Sequence, residues 1–136
     1  MSLLIIKNFP RKKLNNPKLD NIYNDTDLDT RKYLCSIINE LQEGKNLKNG
    51  LESIFKEIEI GAGANAFLFN SQNCNVITNH KNNFNGRHHT LFLSKNHNGI
   101  LVSTTPLTEN AKEVSNHSLI QIDLNDLNLN MVQLEF

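Results

Sequence analysis

Two regions with different hydrophobic spacing divide the chain. Between Thr26 and Gly61 the apolar residues recur at steps of three and four, the spacing of one face of an α-helix. Because the pattern breaks at Gly44, it predicts two helices, the first opening near Thr26 and the second ending at Gly61. The apolar stripes are Leu34, Ile37, Ile38 and Leu41 in the first helix, and Leu47, Leu51, Ile54, Phe55 and Ile58 in the second.

After Gly61 the spacing becomes that of β-strands, with short apolar runs separated by turn residues. The runs predict six strands, at residues 64–69, 74–78, 89–93, 100–104, 119–124 and 127–136. Residues 70–73 and the dipeptide Asn98-Gly99 are typical of hairpin turns. Because short links favour antiparallel pairing, we expect a six-stranded antiparallel meander after the two helices, which is an α+β fold.

The segment before the first helix is mostly polar. Its apolar run at residues 3–6 predicts a short strand or extended arm, and Pro10 and Pro17 then bracket a predicted loop that continues through residues 20–25. Thr26 and Asp29 have the spacing of a capping box, which would place Thr26 at the start of the helix.

Composition narrows the class of protein. The 136 residues carry 14 basic and 14 acidic side chains, and this zero net charge gives no reason to expect a nucleic-acid or membrane partner. The two cysteines form no Cys-x-x-Cys pair, and the run at residues 3–6 is too short for a signal peptide or membrane span. We therefore expect one cytoplasmic domain, residues 1–136, with reduced thiols.

Histidine and cysteine are the residues that would hold a metal or act as nucleophiles. The histidines are His80, His88, His89, His97 and His117. Neighbours such as His88 and His89 point to opposite faces of a strand, so we expect no metal site, although a metal-binding or small-ligand protein is an alternative. Cys35 lies mid-helix and Cys74 near a turn, and neither has an evident neighbour that would lower its pKa.

Asp27 is the residue that we single out. It lies in an acidic stretch where a loop enters the first predicted helix. One interpretation is stabilisation of the helix N-terminus, worth about 0.5–2 kcal/mol for a capping side chain. The other is that its carboxylate receives the ammonium group of a ligand.

Four stretches together resemble class II glutamine amidotransferases, in particular the small stand-alone branch. They are Ile5-Ile6-Lys7-Asn8-Phe9, Thr26-Asp27-x-Asp29 at a helix start, Asn65-Ala66-Phe67-Leu68-Phe69-Asn70, and Leu101-Val102-Ser103-Thr104-Thr105-Pro106-Leu107-Thr108. Their order and spacing follow the family over nearly the whole chain, from Ile5 to about Leu124.

The resemblance implies part of a four-layer αββα sandwich, the N-terminal-nucleophile hydrolase fold. Members of this family hydrolyse the side-chain amide of glutamine and pass the nitrogen or a glutamyl group onward. Their nucleophile is an N-terminal cysteine, and a His-Asn-Gly motif supplies the oxyanion hole. By the resemblance, Asp27 corresponds to the aspartate that binds the α-amino group of glutamine. No cofactor is implied.

The chain departs from the family at the residues that carry out catalysis. Residue 2 is Ser2, and Ser2-Leu3-Leu4 stands where His-Asn-Gly would be. The usual Glu after Thr-Asp is replaced by Asp29, and the loop after Leu107-Thr108 has no Trp. We therefore expect a C-terminal portion of the family domain that is inactive alone and has no catalytic residue. The alternative is a non-catalytic module that pairs with a second copy or with a complementing N-terminal half.

Overall fold

The change of hydrophobic spacing near Gly61 coincides with a boundary in the fold. The computed structural model describes residues 6–10, 12–81 and 89–136. The described residues form two compact units. The helical unit contains the described residues up to Gly61 together with Leu134–Phe136, and the strand unit is Ala62–Gln133. The prediction that residues 1–136 are one domain stays a prediction.

The helical unit contains three helices and a short strand pair among its described residues. The helices are α1 (Pro17–Asn24), α2 (Asp29–Gln42) and α3 (Leu47–Glu57). The strands β1 (Ile6–Asn8) and β2 (Glu59–Ile60) pair antiparallel. The first of these extends beyond the predicted strand at residues 3–6, of which residues 3–5 lie outside the described residues.

The prediction of a loop at residues 20–25 was wrong, because α1 occupies most of that segment. Asn16 caps this helix: its Oδ1 accepts hydrogen bonds from the backbone N–H groups of Lys18 (3.0 Å) and Leu19 (3.3 Å). Pro17 follows at the first helical position, where a missing N–H costs nothing. Leu19 and Tyr23, four residues apart, form its buried face, a pattern too short to stand out in a polar segment.

The predicted capping box at Thr26 was also wrong. The residue that caps α2 is Leu28, whose side chain makes no capping hydrogen bond, and the helix begins at Asp29. The hydroxyl of Thr26 instead accepts a hydrogen bond from the backbone N–H of Leu28 (3.1 Å), within the preceding loop. Of the predicted stripe on α2, Ile37 is buried, whereas Leu34 and Leu41 are more than two-fifths exposed.

A glycine sets how closely α2 and α3 approach. A Cβ added to Gly50 on α3 would stand 3.0 Å from the Cβ of Glu40 on α2, which is tighter than nine in ten real Cβ contacts. On the same two helices, Tyr33 packs on Phe55, whose ring also contacts Phe136. The prediction of two adjacent amphipathic helices is confirmed for α2 and α3, and Gly50 marks their contact. The predicted end of the second helix at Gly61 was wrong, because α3 ends at Glu57 and residues 59–60 form β2.

The strand unit contains two antiparallel sheets. Its strands are β3 (Ala66–Phe69), β4 (Asn73–Thr78), β5 (Phe92–Asn96), β6 (Gly99–Ser103), β7 (Lys112–Glu113), β8 (Ser118–Asp123) and β9 (Leu129–Gln133). One sheet has the order β3-β4-β8-β9, and the other has the order β6-β5-β7. The predicted α+β class with antiparallel strands is confirmed.

The predicted six-stranded meander was wrong in its pairing. Three predicted hairpins are present, namely β3–β4, β5–β6 and β8–β9. Strand β4, however, pairs with β8 and not with β5, so the β5–β6 hairpin belongs to a separate sheet. Alternating hydrophobicity identifies neighbouring strands in a hairpin, but it does not say which hairpin pairs with which. Strand β7 lies between the fourth and fifth predicted strands, where the sequence predicted no strand.

One apolar core joins the two sheets of the strand unit. Its fully buried members come from both: Cys74, Val76, Ile120 and Ile122 from the first sheet, with Leu91 and Val114 beside the second. Side chains of β5 and β6 pack against this cluster. The sheets therefore lie face to face. In the part of the chain that the structure describes, no helix is long and apolar enough to cross a membrane.

Candidate functional site

Asp27 lies in the short loop between α1 and α2, in the helical unit. Its side chain is exposed, as is that of Asp25, the C-cap residue that follows α1. Because α2 begins two residues later, Asp27 does not cap the helix, and the interpretation as a capping residue is wrong. An exposed carboxylate at the entrance to a helix can meet a cationic ligand group, which is the chemistry expected for Asp27.

The two cysteines offer no activated thiol. Cys35 and Cys74 are both free and buried. Burial raises the pKa of each thiol above its ordinary value, because the thiolate loses its hydration. Each therefore behaves as a small apolar core residue. Ser2 lies outside the described residues.

A polar cluster that the sequence did not predict lies at the end of β4 in the strand unit. Its members are Asn65, Asn79, His80, His89, Asn116 and His117, and we refer to it as the His/Asn cluster. Asn116 organises one side: its Nδ2 donates to the backbone oxygen of His80 (2.6 Å), and its Oδ1 accepts from the backbone nitrogens of His80 (3.0 Å) and His117 (3.0 Å).

Asn65 organises the other side of the His/Asn cluster. Its Oδ1 accepts from the backbone nitrogen of Asn79 (2.9 Å), and its Nδ2 donates to the backbone oxygen of His89 (2.5 Å). Gly63 makes room beside it, because a Cβ there would lie 3.2 Å from His89 Nδ1 and 3.3 Å from the Cβ of His80. Two side-chain amides thus hold the backbone of residues 79–80 as a neighbouring strand would.

Two histidines of the His/Asn cluster, His80 and His117, have lowered pKa values. Burial lowers the pKa of His80, and the charges of His89 and His117 lower it further, while the Lys81 backbone and Glu113 act in the opposite direction. Burial also lowers the pKa of His117. The Nδ1 of His80 and the Nδ2 of Asn79 are buried without a hydrogen-bond partner. Successive residues point to opposite faces, so the two atoms do not converge on one ligand.

The histidines do not form a metal centre in the described part of the chain. Within residues 6–10, 12–81 and 89–136, no group of three or more His, Cys, Asp or Glu side chains is arranged to hold a metal ion. His88, the partner of His89 in the predicted alternation, lies outside the described residues. His97 is exposed in the turn between β5 and β6, as its position beside Asn98-Gly99 indicated.

An apolar slot opens between the two sheets of the strand unit. It has a volume of about 350 Å³ and is bounded by Phe67 and Phe69 of β3 on one side and by residues 100–102 of β6 on the other. Cys74 and Val76 of β4 form part of its floor. The described residues that line it are all apolar or, for Cys74, weakly polar. Phe67 is 51% exposed and Phe69 is 65% exposed, so the slot is open to solvent.

Sequence reasoning missed the His/Asn cluster and the slot for different reasons. The cluster joins residues about 40 positions apart through the β4–β8 pairing, which the predicted meander did not contain. Asn-His pairs at residues 79–80 and 116–117 were the only local signal. The slot could have been suspected from Phe67 and Phe69, which alternate along β3 and so share one face.

Comparison with known proteins adds no assignment. The chain matches no protein-family model, no curated protein and no solved structure.

Proposed function

We propose that this chain is the C-terminal portion of a class II glutamine amidotransferase domain, which contributes substrate-binding Asp27 and two central sheets. The observation that carries the proposal is the packing of two antiparallel sheets face to face around one core, in a chain whose helices come first. That arrangement fits the two inner layers of an αββα sandwich. The proposal also rests on the order of the four family-like sequence stretches.

The chemistry proposed for Asp27 is binding, not catalysis. An exposed carboxylate is open to solvent and can pair with the α-ammonium group of glutamine. The nucleophile and the oxyanion donors would come from another segment, whether it belongs to the same polypeptide or to a separate one. On this proposal the 136 residues alone release no ammonia from glutamine.

A second candidate function is a non-catalytic interaction module. The observation that favours it is the apolar slot with the exposed rings of Phe67 and Phe69 at its mouth. Open apolar surface of this kind commonly marks an interaction site. In that case the partner would be another polypeptide or a second copy, and Asp27 would have no role in the interaction.

The proposal is tested by complementation. The chain is mixed with a purified segment of a class II glutamine amidotransferase that runs from the N-terminal cysteine to the His-Asn-Gly motif. Ammonia release from glutamine is then followed. We expect activity in the mixture and none from the chain alone. Replacing Asp27→Asn should lower kcat/KM about 30- to 1000-fold, because the substrate ammonium loses a charged partner worth about 2–4 kcal/mol.

The matched control is Asp25→Asn, which removes an equally exposed carboxylate from the same loop. We expect this variant to keep activity within about twofold. Equal losses in both variants would assign the effect to general charge and contradict the role of Asp27. Ammonia release by the chain alone that Ser2→Ala abolishes would instead show that the chain carries its own nucleophile.

A further inference from the structure

Within the described part of the strand unit, the backbone of β3 has an unpaired edge beside the apolar slot. Strand β3 lies at the end of its sheet, with β4 as its neighbour on one side and no paired strand on the other among the described residues. Edge strands present unpaired N–H and C=O groups, to which another extended chain can add. Strand β6, on the opposite side of the slot, is also an edge strand.

The register of the β3–β4 hairpin shows which groups point outward. The backbone N–H of Asn70 donates to the oxygen of Asn73 (3.0 Å), and that of Ala64 donates to the oxygen of Asn79 (2.6 Å). Hydrogen-bonded and non-hydrogen-bonded pairs alternate in an antiparallel ladder. In the β3–β4 register Phe67 faces Val76 and Phe69 faces Cys74, so both are non-hydrogen-bonded positions. The N–H and C=O groups of Phe67 and Phe69 therefore point away from β4.

Charge distinguishes this edge from the outer edge of the second sheet. Strand β7, at that outer edge, consists of Lys112–Glu113, and charged two-residue strands resist the addition of another chain. Strands β3 and β6 contain no charged residue, and neither do the other described residues that line the slot. A charged segment would lose its hydration there without gaining an ionic partner, whereas an uncharged segment matches the surface.

We propose that β3 is a docking edge for an extended, uncharged polypeptide segment with apolar side chains at alternate positions. The segment adds antiparallel or parallel to β3, hydrogen-bonds to the outward groups of Phe67 and Phe69, and places its apolar side chains in the slot. Backbone hydrogen bonds supply affinity in this mode, and the slot selects the side chains.

The test uses a synthetic probe, the capped heptapeptide Thr-Val-Thr-Val-Thr-Val-Thr, titrated into the ¹⁵N-labelled chain and followed by NMR. We expect the amide signals of Phe67 and Phe69 to shift. A peptide with Lys in place of each Val should bind at least about tenfold more weakly. Shifts absent with the uncharged peptide, or equally strong with the charged one, would overturn the proposal.

Proline substitution separates backbone docking from contact with the ring. Phe67→Pro removes an outward N–H without breaking the β3–β4 ladder, and Phe67→Ala removes the ring alone. We expect the proline variant to bind the peptide about tenfold more weakly than the alanine variant, the loss of roughly one hydrogen bond. Equal binding by the two variants would show that the ring alone is recognised, contrary to the proposal.

A matched control and two other occupants complete the test. Met131→Pro removes an outward N–H at an exposed apolar position on β9, the opposite edge of the same sheet, and should leave peptide binding unchanged. If light scattering shows a dimer of the unsubstituted chain and a monomer of Phe67→Pro, a second copy occupies the edge and the proposal fails. If hexanol shifts the same amide signals and the peptide does not, the slot binds a small apolar ligand and the proposal fails.

Discussion

The helical unit and the strand unit stabilise their polar groups by different means. The helical unit uses charged pairs between side chains: Lys12 with Glu57, Lys45 with Glu40, and Lys48 with Glu52. In the strand unit, the His/Asn cluster uses uncharged amides that bind backbone groups. The lysine of each of these pairs is partly exposed, and ion pairs open to solvent contribute little to stability. Half-buried amides that bind the backbone of a buried residue, as Asn116 does for His80, contribute more. The two units should therefore respond differently to mutation and to pH.

The largest effect should follow Asn116→Ala. This change leaves the backbone N–H and C=O of His80 without their hydrogen-bond partner, and each unsatisfied buried group costs about 1–3 kcal/mol. We expect the free energy of unfolding to fall by about 2–4 kcal/mol in urea. Hydrogen exchange should accelerate in β4 and β8 and remain unchanged in α1 to α3.

The control for that experiment is Asn130→Ala, which alters an exposed amide on β9. We expect it to change the free energy of unfolding by less than about 0.5 kcal/mol. A comparable loss of stability in both variants would show that the stabilisation does not depend on the backbone hydrogen bonds of Asn116.

Glycine substitutions compare the two units directly. Gly50→Ala gains about 1 kcal/mol of helix propensity but brings a Cβ to 3.0 Å from Glu40 on the facing helix, so we expect a net destabilisation of about 1–2 kcal/mol. At Gly63 the nearest atoms belong to the His89 and His80 side chains at 3.2 and 3.3 Å. We expect Gly63→Ala to cost less than Gly50→Ala, as measured by thermal unfolding.

Acidification should weaken the strand unit through His80. Because burial holds the folded-state pKa of His80 below its usual 6.5, the unfolded chain binds the proton more readily. The contribution of neutral His80 to stability is complete above about pH 6.5 and is lost as the pH falls through the lower, folded-state pKa. We expect the midpoint of urea unfolding to decrease between pH 7.5 and 5. The protection of β4 amides from hydrogen exchange should fall over the same pH range.

His80→Gln should flatten part of this pH dependence, and a slope that His117 causes should remain. His97→Gln, at the exposed β5–β6 turn, is the control and should leave the slope unchanged. An unaltered slope in His80→Gln would assign the acid sensitivity to other groups.

The smallest effect on stability should come from Asp27→Asn. The side chain is exposed in a loop and does not cap α2, so we expect a change within about 0.5 kcal/mol in urea unfolding. A destabilisation above 1 kcal/mol would show that Asp27 has a structural role, and would weaken the case for a carboxylate kept for binding.

The sequence predicted those parts of the fold that depend on near neighbours. Helices α2 and α3 and three hairpins follow from apolar spacing and turn residues, which act within about 15 residues. The pairing of β4 with β8 depends on which strand lies opposite Val76 and Ile77, and the local hydrophobic pattern does not specify that partner strand. Helix α1 was missed because only Leu19 and Tyr23 reveal its apolar face.

The candidate site was predictable only in part. The acidic stretch at the predicted helix start singled out Asp27, and the family resemblance added a binding role. The exposure of its side chain is compatible with that role but was not predicted. The slot and the His/Asn cluster arise from contacts between β4, β6 and β8, so they could not be read from a sequence whose pairing was predicted differently. Asn65, which the sequence indicated only as part of a family-like strand, forms hydrogen bonds with the backbone of residues 79 and 89.

Both tyrosines of the chain lie in the helical unit. The sequence contains Tyr23, Tyr33 and no tryptophan. Tyr23 donates a hydrogen bond to the oxygen of Pro10 (2.7 Å), its ring carries Lys32 above it, and burial together with the charge of Glu57 raises its pKa to about 12. Tyrosine emission and the ultraviolet absorbance of phenolate therefore report on the helical unit alone. The protein carries an intrinsic optical label for one of its two units and none of that kind for the other.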